Sequence, residues 1–184
     1  VAQISLLMAV VLMWYGSGYF RAGEAARSAC ESSSQVTVTE SDGVLCFDGP
    51  GTDTALVFYP GAKVEDTAYA PFIKQLAENG VDCFSQEMPY QMALFWIGSM
   101  DRIVETRPEY EHWYLAGHSL GGAMGSIYAA DHSDQLEGLI LLGAYPAKDL
   151  KNSGLKVLAI YGSEDQVLSR EKLEAGREIV PDTY

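Results

Sequence analysis

Apolar residues run from Val1 to Phe20 without a single charge, and a helix over that length would rise about 30 Å, enough to cross the hydrocarbon core of a bilayer. The stretch ISLLMAVVLMWYGSGYF therefore predicts one membrane-spanning helix over 1–20. Trp14, Tyr15, Tyr19 and Phe20 gather at its C-terminal end, where amphipathic rings prefer the headgroup level, and Arg21 follows. A cleaved secretory signal is the alternative, although its apolar region is usually shorter and ends at a small-residue site. Residues 21–34, RAGEAARSACESSS, turn small and polar and predict a juxtamembrane linker or short helix.

From Gln35 the pattern changes again. QVTVTE alternates β-branched and polar residues, Asp42-Gly43 supplies a tight turn, and VLCF follows, which predicts a β-hairpin. ALVFYP, Ala55 to Pro60, is a continuous apolar run of the kind found in strands buried on both faces. Between Asp66 and Asn79 the residues Ala68, Phe72, Ile73 and Leu76 recur at helical spacing, and Gly80 stands where a helix stops. VDCF predicts the next strand. From Met88 through Val104 the apolar residues fall near one helical face, predicting a helix packed on the sheet. HWYLAG reads as a strand, LGGAMGSIYAADH as a helix, GLILLG and LKVLAIYG as two more strands, and SREKLEAGREIV as an amphipathic helix. Strands alternating with helices predict a three-layer α/β domain over 35–184, with a mostly parallel sheet and the hairpin at its N-terminal side.

Charge and cysteine usage narrow the chemistry. The 184 residues carry a formal net charge of -13, and with no Lys/Arg cluster as a local exception, no nucleic-acid partner is expected. Cys30, Cys46 and Cys83 are odd in number and lack C-x-x-C spacing, so they define neither a metal site nor a disulfide framework, while leaving a single bridge open. GPGTDT lacks the Gly-Lys-Ser/Thr ending of a phosphate loop. No metal and no cofactor are expected.

The string with chemical content is LAGHSLGGAMG, Leu115 to Gly125. Gly117-His118-Ser119-Leu120-Gly121 spells G-x-S-x-G between a predicted strand and a predicted helix, the setting in which that turn presents a nucleophilic serine. Gly117, Gly121 and Gly122 are small because strand and helix approach too closely there for a β-carbon. The helix start directs unpaired N–H groups toward Ser119, making Leu120 N–H a candidate oxyanion donor. A serine that merely caps a glycine-rich helix is the plainer alternative.

These residues, with Tyr59-Pro60-Gly61-Ala62 after the early strand and Tyr161-Gly162-Ser163-Glu164-Asp165 after the late one, resemble the α/β-hydrolases, most closely their small bacterial branch that is often membrane-anchored. The resemblance spans nearly everything from Gln35 onward. It implies a second oxyanion donor on the loop after the early strand, Ala62 N–H, with Gly61 as runner-up. It also implies a serine–acid–histidine order in which Asp165 is the acid, with Glu164 as the alternative.

No histidine follows Asp165. His112 precedes the strand into the turn, His118 lies inside it directed away from where a base must stand, and His132 trails the helix leaving it. The chain opens on Val1 rather than Met and ends where the resemblance implies one more strand and a His-bearing loop, so the base is expected beyond residue 184 and this stretch alone is expected to be inactive. The implied reaction is acyl transfer to water: cleavage of an ester, thioester or lactone-type bond of a small-molecule substrate through an acyl-enzyme on Ser119. Met92, Phe95 and Trp96 are candidate substrate-lining residues. The expected location is the cell membrane, with a single N-terminal anchor and the acidic domain outside the cytoplasm. The competing reading is a membrane-tethered, non-catalytic binding or scaffold protein on the same fold.

Overall fold

The computed structural model describes residues 18–181. The membrane helix expected over 1–20 lies outside them except for its last three residues, and among the described residues no helix is long and apolar enough to cross a membrane. Phe20 itself is extended: its N–H donates to Lys63 O (2.7 Å), and its carbonyl accepts from Glu65 N–H (2.9 Å).

Among the described residues seven strands form one sheet: β1 (Thr37–Ser41), β2 (Val44–Asp48), β3 (Thr54–Tyr59), β4 (Asp82–Gln86), β5 (His112–His118), β6 (Gly138–Leu142) and β7 (Lys156–Ile160). Their spatial order is β1-β2-β4-β3-β5-β6-β7. The β1/β2 hairpin closes on the predicted two-residue turn, with both Asp42 (φ 52°) and Gly43 (φ 72°) left-handed, as a twist-matched hairpin turn requires. β2 joins β4 antiparallel, and from β4 to β7 every pairing is parallel.

Period-two burial in the central strands makes the fold three-layered. Leu56 and Phe58 of β3 face one core together with Leu45, Phe47 and Ala116. Ala55, Val57 and Tyr59 face the other, together with Phe84, Leu115, Leu139 and Leu141. The first core is covered by α2 (Ala70–Glu78), which buries Ala70, Ile73 and Ala77. Against it rests α1 (Glu24–Ala29), tied by a hydrogen bond from Lys74 Nζ to Glu31 O. The second core is covered by α3 (Ser99–Glu105), α4 (Leu120–Asp131), the loop around Leu150 before β7 and the chain around Val180, just after α5 (Arg170–Arg177). Cover thins toward β7, where Leu158 and Ile160 stay 48% and 52% exposed.

One predicted element differs. The run from Met88 to Val104 is not a continuous helix; it holds two 3-10 turns, Pro89–Gln91 and Ala93–Phe95, before α3. Tyr90 (φ 56°) and Gln91 (φ 52°) are left-handed, which no helix interior tolerates. Met88, Ala93, Met100 and Ile103 are buried all the same, so apolar spacing there satisfies the core without a helix. Tyr59 anchors this segment, its hydroxyl donating to Ile97 O (2.6 Å) and accepting from Met100 N–H (3.1 Å).

Candidate active site

β5 ends at His118 and α4 begins at Leu120, so Ser119 alone makes the turn from strand to helix. It does so at φ 50°, ψ −119°, a conformation that costs a residue with a side chain on the order of 1–3 kcal/mol. The surroundings enforce it. Ser119 N–H donates to Leu142 O (2.9 Å), and Ser119 O accepts from Ala123 N–H (3.1 Å). A β-carbon on Gly117 would lie 2.5 Å from the backbone of Gly121, and one on Gly121 only 2.1 Å from Tyr59 O. Only glycine lets β5, α4 and the end of β3 meet this closely.

That last approach brings the loop after β3 against the first turn of α4. Leu120 N–H, at the first helical position, has no intrahelical acceptor and lies at the positive end of the helix. On the facing loop, Gly61 N–H is already engaged, donating to Tyr69 Oη (3.0 Å). Ala62 N–H has no acceptor among the described residues. Lys63 N–H closes the loop onto Gln91 O (2.8 Å).

Asp165 stands in the turn after β7. Its Oδ1 accepts from Val167 N–H (2.8 Å) and Leu168 N–H (3.0 Å). The bonds from Leu168 N–H and Val167 N–H hold the carboxyl below its ordinary range. Oδ2 accepts no hydrogen bond among the described residues, so the acid is fixed by one oxygen and open at the other. Glu164 is exposed. Ser119 and Asp165 share a cleft of about 410 Å³ with His118, Leu120, Ala123, Gly143, Tyr145, Val167 and Leu168.

Met92, Phe95 and Trp96 are not among the residues lining that cleft. Trp96 lines a separate depression with Gly43, Gln86, Glu87, Met88, Pro89 and Tyr90, and Phe95 is 55% exposed. The cleft's own apolar wall comes from Leu120, Ala123, Tyr145, Val167 and Leu168. Sequence reading missed Tyr145, Val167 and Leu168, which lie in loops with no periodicity to flag them.

None of the three histidines hydrogen-bonds Ser119. His112 is exposed and faces Glu137 (3.3 Å). His132 stacks on Tyr128 with ring centroids 4.1 Å apart. His118 points its Nδ1 at Tyr69 Oη (2.8 Å), and burial pushes its pKa down, against an opposing pull from Asp165. The three thiols are free, with Cys46 and Cys83 buried. Among the described residues no group of His, Cys, Asp and Glu could hold a metal ion.

A mixed, mostly parallel sheet with a strained serine at a strand-to-helix turn and a carboxylate after a later strand defines the architecture of one large class of α/β proteins. A family profile described as the alpha/beta hydrolase family matches residues 55–184, and the chain belongs to that family. No curated protein matches the sequence. Among solved structures, TT1662 from Thermus thermophilus is similar at 16% identity and a TM-score of 0.66, over 80% of this chain and 85% of that one. Est1E from Butyrivibrio proteoclasticus is similar at 15% identity and 0.61, over 80% and 85%. The dienelactone hydrolase from Anabaena variabilis ATCC 29413 is similar at 14% and 0.67, over 79% and 82%. At these identities the likeness concerns the fold.

Proposed function

We propose that the protein is a serine hydrolase acting on an ester, thioester or lactone-type acyl bond. The observation that carries this reading is Ser119 itself, held in a costly backbone conformation at the mouth of a cleft it shares with Asp165. A structural serine would not need that conformation; a nucleophile raised above the sheet does. Ser119 Oγ attacks the acyl carbonyl and gives its proton to a base. The tetrahedral oxyanion lies between Ala62 N–H and Leu120 N–H, and the alkoxide or thiolate leaves with that proton. Water then releases the acid from the acyl-enzyme. A pair of such donors contributes several kcal/mol, on the order of 3 for one of them.

The base of this reading is a histidine beyond residue 184. Two features support it. Asp165 leaves one carboxylate oxygen open toward the cleft, where an imidazole N–H would bond. Among the described residues β7 pairs only with β6, and Leu158 and Ile160 are half-exposed, so a further strand with its helix would both pair and bury them. The apolar run over 1–20 is proposed to anchor the domain to a cell membrane with the acidic domain outside. Fluorophosphonate labelling of the complete gene product, with Ser119→Ala as control, tests the hydrolase. Labelling lost in the variant is expected; a folded wild-type protein that does not label would leave the non-catalytic scaffold as the better reading.

A further inference from the structure

We propose that Tyr69 and His118 are positioning residues that strap the loop carrying Ala62 to the turn carrying Ser119, so that the Ala62 and Leu120 amides keep one spacing. The inference rests on the hydrolase reading above and assigns work to two side chains which that reading leaves idle.

The strap is a short chain of contacts across the fold. Gly61 N–H donates to Tyr69 Oη at 3.0 Å, and Tyr69 Oη meets His118 Nδ1 at 2.8 Å. His118 is the residue before the nucleophile, and Gly61 the residue before the second oxyanion donor. One phenol therefore bridges the immediate neighbours of both donor-bearing segments. The fit is close: a β-carbon on Gly61 would stand 2.6 Å from His118 Nδ1 and 3.0 Å from Tyr69 Oη.

Protonation suits the same arrangement. Burial raises the Tyr69 hydroxyl and lowers the His118 imidazole, so near neutral pH both are uncharged. The hydroxyl accepts from Gly61 and donates to the Nδ1 lone pair, which puts the ring proton on Nε2. That side of the ring faces Gly143, where a β-carbon would lie 3.6 Å from His118 Nε2 and 3.9 Å from Asp165 Oδ2. Tyr69 is itself held, at the end of the 3-10 turn Asp66–Tyr69, with its ring 4.6 Å from that of Phe58. Were Tyr69 only a packing residue, the ring contact with Phe58 would suffice and the hydroxyl would be dispensable. Without it the Gly61 amide loses its acceptor, the Ala62 amide beside it is held only from the Lys63 side through Gln91 O, and the oxyanion hole loses preorganisation.

The test uses the complete gene product and hydrolysis of a p-nitrophenyl ester, alongside fluorophosphonate labelling. Tyr69→Phe and His118→Leu are each expected to lower kcat about tenfold or more while KM stays within about twofold, since the strap sets transition-state rather than ground-state contacts. The double variant is expected to be no slower than either single one, because either break alone removes the bridge. His118→Asn, whose Oδ1 can stand in for Nδ1 as acceptor, is expected to recover most of the rate. Wild-type kcat in Tyr69→Phe, a change confined to KM, losses that multiply in the double variant, or no recovery in His118→Asn would each overturn the strap while the hydrolase stands. Should Tyr69→Phe fail to fold, the contrast between His118→Leu and His118→Asn decides. If the wild-type protein shows no Ser119-dependent labelling, hydrolase and strap fall together.

Discussion

At the scale of single residues, Ser119 shows how conformation and chemistry oppose each other. Its φ of 50° and ψ of −119° suit glycine, so Ser119→Gly is expected to raise stability by about 1 kcal/mol, read as a higher Tm, while abolishing labelling. A lower Tm would mean that the hydroxyl stabilises the turn. Gly121 is the opposite case. A methyl group there would meet Tyr59 O at 2.1 Å, and because backbone cannot step aside, Gly121→Ala is expected to cost about 3 kcal/mol or more in urea denaturation. Asp66 provides a pH effect distant from the chemistry. Burial pushes its carboxyl up to about 6, whereas in the unfolded chain it ionises near 4, roughly. Between those values the folded state holds the extra proton, so stability falls as pH rises from about 4 to 6. Asp66→Asn keeps an acceptor for Thr67 N–H and loses the titration. It is expected to be the more stable form at pH 7 by about 1–3 kcal/mol, with the gain absent below pH 4 in parallel denaturation curves.

Among elements, the segment from Met88 to Glu105 shows where pattern and backbone part. Its apolar residues recur as on a helix, yet the chain folds back through Tyr90 and Gln91 so that Gln91 O can meet Lys63 N–H. The signal that could have broken the expected helix was Pro89, which fixes a turn start. What holds the segment is Tyr59, fully buried at the end of β3. Tyr59→Phe would leave Ile97 O and Met100 N–H unpartnered and is expected to cost about 1–3 kcal/mol, measured by denaturation. The hairpin, the central strands and the serine turn were legible because local rules and burial agree there: Asp42-Gly43 forces the register of β1 on β2, and Gly117, Gly121 and Gly122 announce a close crossing. That Asp165 stands in a turn after a late strand could be read from the apolar run before it, whereas its role as acid came only from the family resemblance. The bridge from Gly61 through Tyr69 to His118 could not, since it joins residues 49 positions apart by a hydroxyl that no periodicity marks. The cleft wall from Val167 and Leu168 escaped for a similar reason: the amides of these two residues wrap Asp165 Oδ1, and their side chains follow the turn.

For the whole molecule, the distribution of cover over the sheet is the feature with most to predict. Val157, paired with the fully buried Leu139, is itself buried, while Leu158, which pairs with the half-buried Ile140 and points to the opposite face of the sheet, is half-exposed. In the complete gene product, with the proposed further strand in place, Leu158→Ala is expected to cost about 2 kcal/mol or more, as a core position does. A change within about 0.5 kcal/mol would mean that nothing covers this face. The parallel pairing from β4 to β7 also sends Pro60, Ser119, Gly143 and Asp165 to one rim, at the C-terminal ends of their strands. Asp53, Glu111, Asp134 and Glu137 lie at the other. A dye, an affinity tag or a solid support attached through the exposed Asp134 would thus leave turnover untouched, and the lower rim offers a handle for engineering that the upper one does not.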